Sequence, residues 1–252
     1  MKVDNFDIIR EHLTFEPAMK FDSETKKLKS LNDTYDRYII QILKRAKDSG
    51  GKSHGVNTAN RLIKTYEVNS LDYFDVKKPH IIDLCETNMA RAYILPQVRS
   101  TYDCLKEMIK IGVDNLENPT IKFQHILRSC LCSMHKSRDK RWIIDLDKDE
   151  MDGFTLEDVV AGIKENLKKC GKNPDDMYVV PTRNGNHIIT TPFNVMDMNK
   201  KFRMMFEGER KFPYNVEVFE PCSALYETET RYTKKTGWLH KDGMTLLYCP
   251  DM

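Results

Sequence analysis

Nowhere does the sequence hold an apolar run of the roughly 18–20 residues that a bilayer-spanning helix requires. Residues 1–16 are mixed and charged, without the apolar stretch of a secretory signal. Membrane insertion and secretion are therefore not expected. Cysteines are few and scattered: Cys85, Cys104, Cys130, Cys132, Cys170, Cys222 and Cys249 make an odd count without the dense spacing of a disulfide scaffold. The expected address is the reducing cytoplasm. An excess of one charge is also missing. The net charge of +2 excludes a polycation that coats nucleic acid by charge alone, so any such contact falls to local basic runs. Internal repeats and low-complexity tracts are absent. What remains is an ordinary globular composition, 40% hydrophobic and 31% charged, in a 252-residue chain long enough to bury a core.

The pattern along the chain predicts mixed α and β structure. Residues 1–35 read as an N-terminal arm or short helices. The aromatic and β-branched run at residues 38–43 predicts a strand, the Lys-, Gly- and Ser-rich stretch 44–60 a loop, and residues 61–68 a returning strand. Pro79 suits the first position of a helix reaching about Met89, where its missing N–H costs nothing. A strand at 90–95 and a helix capped by Ser100 follow, and Pro119 opens a further helix carrying Phe123, Ile126, Leu127, Cys130, Leu131 and Met134.

The second half is the more informative. Residues 142–146 form a strong strand, Thr155 caps a helix closed by Gly171, and residues 177–181 and 187–193 are two strands. Asn184-Gly185 between them is the strongest short hairpin signal. Asn194 caps a helix to about Phe206, and residues 245–248 are a last short strand. The order β-α-β-β-α-β is that of the split βαβ, RRM-like or ferredoxin-like unit. The expected fold is α+β, with an N-terminal α/β subdomain over 1–118 and an RRM-like palm over 119–252.

Chemistry concentrates on one strand. Residues two apart in a strand point to the same side, so Asp145 and Asp147 face together at its end. Two carboxylates so placed repel unless a cation lies between them, and hard oxygen ligands suit Mg²⁺ or Mn²⁺. The bland alternative is a solvated polar strand end. In the β-α-β-β-α-β order, strands one and three are neighbours, which brings His187 beside the pair. A histidine there can bind phosphate, move a proton or ligate metal.

Trp142-Ile143-Ile144-Asp145-Leu146-Asp147 resembles the hydrophobic-Asp-x-Asp first motif of the archaeo-eukaryotic primase superfamily, which includes primase-polymerases. Asn184-Gly185-Asn186-His187-Ile188-Ile189 resembles its second motif, a histidine on a hairpin. The resemblance covers about residues 140–250. It implies a metal-dependent nucleotidyltransferase that adds nucleotides to a nucleic-acid end. Asp145 and Asp147 would hold Mg²⁺ or Mn²⁺, and His187 would contact the phosphates of the incoming nucleoside triphosphate. Lys241, with His240 beside it, and Arg183 in the hairpin would neutralise the triphosphate. Single-stranded template or primer, nucleoside triphosphates and replication proteins are the partners it implies. The sequence departs from the pattern twice. Gly185 stands where serine is usual, and Trp238-Leu239-His240 stands near the place of a third acid, for which Glu227, Glu229 or Asp242 are the substitutes at hand.

Two other readings use the same residues: a noncatalytic nucleic-acid-binding or regulatory protein on the same sheet, and a metal-dependent nuclease with water as nucleophile. Basic stretches 44–64 and 136–141, with Tyr38, Tyr66 and Trp142 nearby, offer a phosphate-tracking groove with stacking rings. His125, Cys130, Cys132 and His135 do not make a zinc site, because one helix cannot aim all four at one ion.

Overall fold

The computed structural model describes residues 1–15, 17–22, 27–34, 36–45, 61–114, 126, 130, 139–148, 151, 153–198, 238–240 and 243–251. In chain order the elements are β1 (Val3–Asp4), α1 (Phe6–Arg10), β2 (Pro17–Asp22), β3 (Lys27–Thr34), β4 (Asp36–Lys44), β5 (Arg61–Val68), α2 (Leu71–Asn88), β6 (Arg91–Ile94), β7 (Arg99–Ser100) and α3 (Thr101–Asp114). Then come β8 (Trp142–Asp147), α4 (Leu156–Lys169), β9 (Met177–Pro181), β10 (Gly185–Thr190), a 3₁₀ turn at Val195–Asp197, β11 (Leu239–His240) and β12 (Thr245–Cys249). The fold is α+β and every strand pairing among the described residues is antiparallel.

One sheet runs β1-β12-β6-β4-β5, with β7 also paired to β4. Strand β4 is covered on both faces: Tyr38, Ile40 and Ile42 enter one core cluster, while Ile39 packs with Leu95 and Cys104 on the other side. Burial on both faces explains why residues 38–43 read as an apolar run broken by Gln41 alone instead of an alternating one. A second sheet runs β11-β8-β10-β9, and β2 pairs with β3 as a separate ribbon.

The second sheet is also packed on both faces. Ile144, Leu146 and Ile188 pack with Val159, Ile163 and Leu167 of α4, and with Phe193 and Trp238. The helix begins where expected, with a reciprocal cap: the Asp158 N–H donates to Thr155 Oγ1 at 3.1 Å and the Thr155 N–H donates to Asp158 Oδ2 at 2.9 Å. It ends with Gly171 at φ +66°, the left-handed position that glycine occupies without strain. On the opposite face, Ile143, Ile189 and Val180 join the core of the first sheet, beside Phe6, Ile40, Ile94 and Leu247. The two sheets thus share one core.

Two expectations need correction. The helix expected to start at Pro79 spans Leu71–Asn88, with Pro79 in its interior. Ser70 is the true cap, its Oγ accepting from the Tyr73 N–H at 3.1 Å, and buried Phe74, Ile81 and Cys85 hold both halves of the helix to the sheet. Tertiary packing outweighs the proline. Since an interior proline costs about 3 kcal/mol, partly offset by its stiffening of the unfolded chain, Pro79→Ala at this exposed position is expected to stabilise by about 2 kcal/mol. Urea titration at constant m-value checks it.

The strand near residue 245 forms, but as β12 it lies between β1 and β6 in the first sheet, while β11 takes the place next to β8. The hairpin signalled by Asn184-Gly185 does form, β9 pairing antiparallel with β10, with neither residue at positive φ and Gly185 already in strand β10. Of the helix expected after Pro119, only Ile126 and Cys130 are among the described residues, both helical and buried. The helix expected after Asn194 is seen as the turn Val195–Asp197, and its remainder lies outside the described residues. Among the described residues no helix is long and apolar enough to cross a membrane.

Candidate functional site

Strand alternation decides which face carries the chemistry. Ile143, Asp145 and Asp147 share one side of β8, and Gly185, His187 and Ile189 share one side of β10. Because Ile143 and Ile189 enter the core shared with the first sheet, Asp145, Asp147 and His187 project toward that sheet as well. They do so past the end of the apolar contact, where the space between the sheets opens into a cavity of about 390 Å³. Asp145, Asp147, Thr182, Arg183, Asn184 and His187 line it from the second sheet. Leu43, Arg45, Arg91, Tyr93, Met244 and Leu246 line it from the first.

The three residues picked from sequence are therefore on one face and in one cavity. Asp145 and His187 are directly opposite in the β8–β10 register. Asp145 Oδ1 lies 3.3 Å from His187 Nε2, and His187 Nδ1 lies 3.1 Å from Thr245 Oγ1 on β12. The imidazole is sheltered at 13% side-chain exposure, whereas the Asp145 carboxylate is 38% exposed and open to an incoming ligand. Burial pushes the Asp145 carboxyl up. The hydrogen bond and charge of His187, together with His240 and Arg45, more than offset this and hold it below the usual carboxylate range.

That balance has a measurable consequence. A carboxyl whose folded pKa lies below its unfolded value adds stability that is complete above the unfolded value and is lost as pH falls through the folded one. In His187→Ala the burial cost remains and its main opponent is gone. The Asp145 pKa is expected to rise, and the acid-side loss of stability to begin at higher pH. Carboxyl ¹³C NMR titration checks the direction.

The hairpin that carries His187 is held by its own turn and by β8. The Thr182 N–H donates to Gly185 O at 2.9 Å, and the Gly185 N–H donates to Thr182 Oγ1 at 3.0 Å. The Lys148 N–H donates to Asn184 O at 3.1 Å. Gly185 lies so close to β8 that a Cβ on it would stand 1.9 Å from Leu146 O. A side chain of any kind is therefore excluded there, which accounts for glycine at the place where serine was expected.

The other sequence-picked residues divide. Arg183 is exposed and lines the cavity. His240, opposite Ile143 in β11, is near enough to Asp145 to lower its pKa. Lys241 lies outside the described residues, as do Glu227, Glu229 and Asp242. Among the described residues no three His, Cys, Asp or Glu side chains converge as a ready-made metal site. Asp145 and Asp147 supply hard oxygen donors to one cavity, which fits Mg²⁺ or Mn²⁺ better than softer ions.

Comparison of the chain with protein-family models, curated proteins and solved structures finds no match. The site must be judged on its own geometry.

Sequence reading alone missed the far wall. Arg45 fell within a basic stretch noted only as a groove, and its Nη1 donates to Tyr93 Oη at 3.3 Å. Arg91 and Tyr93 were not singled out at all. The available signal was their spacing, since two polar side chains two apart on a short apolar strand share one face. That wall brings Arg45 and Arg91, which with Arg183 of the hairpin line the same cavity as two carboxylates. Such mixed lining suits a polyanion that carries a divalent cation with it.

Proposed function

We propose that this chain is a metal-dependent nucleotidyltransferase of primase-polymerase type, a divergent member of the archaeo-eukaryotic primase superfamily. The observation that carries the reading is the cross-strand pair Asp145–His187, set with Asp147 in a cavity whose other lining includes three arginines. The strand order β11-β8-β10-β9, with α4 joining β8 to β9, supports it, because that is the order of a split βαβ, RRM-like palm. The pairing of an acid and an imidazole on its two central strands, where RNA-binding modules carry stacking aromatics, favours chemistry over simple base stacking.

In this reading Asp145 and Asp147 hold Mg²⁺ or Mn²⁺, which when bound would supply charge stabilisation and activate a 3′-hydroxyl. His187, which lines the cavity, contacts the phosphates of the nucleoside triphosphate. Arg45, Arg91 and Arg183 spread positive charge along the same polyanion, the role first assigned to Arg183, Lys241 and His240. The growing nucleic-acid end enters from the open side of the cavity.

The test is incorporation by the purified chain. Primed and unprimed single-stranded DNA and RNA are supplied with ribo- or deoxyribonucleoside triphosphates and Mn²⁺ or Mg²⁺. Metal-dependent extension or primer synthesis is the expected result. Neither incorporation nor metal-dependent triphosphate binding would end the proposal. The second reading, a noncatalytic nucleotide- or nucleic-acid-binding relative, is favoured by one observation: Trp238-Leu239-His240, beside β8, brings no third carboxylate to the site. Triphosphate binding without incorporation is its signature.

A further inference from the structure

Resting on the nucleotidyltransferase reading, we infer that Lys44, Arg61 and Lys64 hold the sugar–phosphate backbone of the nucleic-acid strand that serves the site. The three share one face at the end of the β4–β5 pair. Lys44 lies directly opposite Arg61, and Lys64 lies opposite Ile42, two residues before Lys44. Arg61 and Lys64 are exposed and Lys44 is half-buried. Like charges set directly opposite one another destabilise a sheet. Among the described residues no carboxylate pairs with Lys44 or Arg61 to relieve this. A bound anion relieves it. The local sequence is biased the same way: residues 44–64 hold six Lys and Arg against one Asp, in a chain whose net charge is only +2.

The position of the cluster identifies the anion. Leu43 and Arg45, on either side of Lys44, line the cavity. The end of β4 therefore carries one cation to the cavity and the next to the opposite face, a step of one residue. From Arg61 to Lys64 the strand advances roughly 10 Å, which suits successive phosphates of a chain better than one free phosphate. The rings near the basic stretches are spoken for. Tyr38 and Tyr66 are buried, and Tyr38 Oη accepts from the Thr14 N–H at 3.2 Å. Trp142 packs edge-on against Phe193 at 5.3 Å. The Tyr66 ring instead sits under Lys64 Nζ, 5.2 Å from its centroid. In the other basic stretch, Arg141 is paired with Asp139 and Asp176. Contact is thus to phosphates and not to bases, and it carries no sequence preference.

The test is binding of a labelled single-stranded DNA of mixed sequence, followed by anisotropy between about 50 and 200 mM salt. Each cation that neutralises a phosphate adds about 0.7 to the slope of log affinity against log salt. Combining Lys44→Ala, Arg61→Ala and Lys64→Ala should therefore flatten the slope by about 2 and weaken binding at low salt by about 10-fold or more. Lys44→Glu sets opposite charges across the register, so it should melt no earlier than wild type while binding more weakly, which separates lost contact from lost fold. Lys168→Glu, an equal charge change at an exposed position on α4, should bind as wild type does. A triple variant with wild-type affinity and slope, or a Lys168→Glu variant that loses as much, would overturn the inference. So would a wild type that binds phosphatidylserine vesicles and no nucleic acid, which gives the cluster to a lipid surface. Strand binding needs no catalysis. A chain that binds through the cluster and incorporates nothing defeats the enzymatic reading alone, and one that incorporates while the triple variant binds normally defeats this inference alone.

Discussion

Asp145→Ala is expected to lower Mn²⁺-dependent nucleotide incorporation by about 10³-fold or more, the scale on which loss of one preorganised electrostatic group at a reacting centre is felt. Three facts set the size. Asp145 is the carboxylate directly opposite His187, so it is lost from the middle of the site. Its pKa is held below the usual carboxylate range, so it is fully ionised at neutral pH, when a divalent cation must be bound. Among the described residues, Asp147 then remains as the single carboxylate lining the cavity. The fold should survive. The Asp145 side chain is more than a third exposed, and the strand beneath it is held by Ile143, Ile144 and Leu146, all buried. Asp145→Asn, which keeps the shape, should lose a similar factor. Activity is measured by single-nucleotide extension and folding by thermal unfolding. A variant with unchanged melting that keeps a tenth or more of wild-type incorporation would remove Asp145 from the chemistry. A variant that unfolds instead would place its role in stability.

The half of this site carried by β8 and β10 was legible in the sequence, and the reason is locality. Asp145 and Asp147 share a face by strand geometry alone, and the β-α-β-β order makes β10 the neighbour of β8 before any coordinate is known. Thr155 and Asp158 likewise announce the start of α4 within four residues. The other half depends on which strand packs against which sheet. Residues 245–249 read as a short apolar strand, but nothing in them says that they join β1 and β6 instead of β8. Without that assignment Thr245 has no visible link to His187, and Arg45, Arg91 and Tyr93 are simply residues of another element. Pro79 misled for a related reason: it is a strong local signal, overridden by the buried face of α2. Asn184-Gly185 did not mislead, since a hairpin is local and β9 pairs with β10 across it.

Gly185→Ala is expected to be the most destabilising single-methyl change at the site, costing about 3 kcal/mol or more, the upper part of the range for overpacking. The added Cβ would stand 1.9 Å from Leu146 O, 2.9 Å from Leu146 C and 3.0 Å from Asp147 Cα. All three are backbone atoms of β8, so no rotamer change relieves the clash. Either β10 moves away from β8 or the hairpin changes register. A move separates His187 from Asp145, which face each other two residues farther along the same pair of strands. A one-residue slip would turn His187 to the opposite face, toward α4. Both routes damage the site, so incorporation should fall with stability, and Asp145 should lose the hydrogen bond that keeps its pKa low. Urea unfolding gives the energy, and the Asp145 titration reports whether the pair has parted. A fully stable Gly185→Ala variant with an unshifted Asp145 would mean that the two strands are not held this closely.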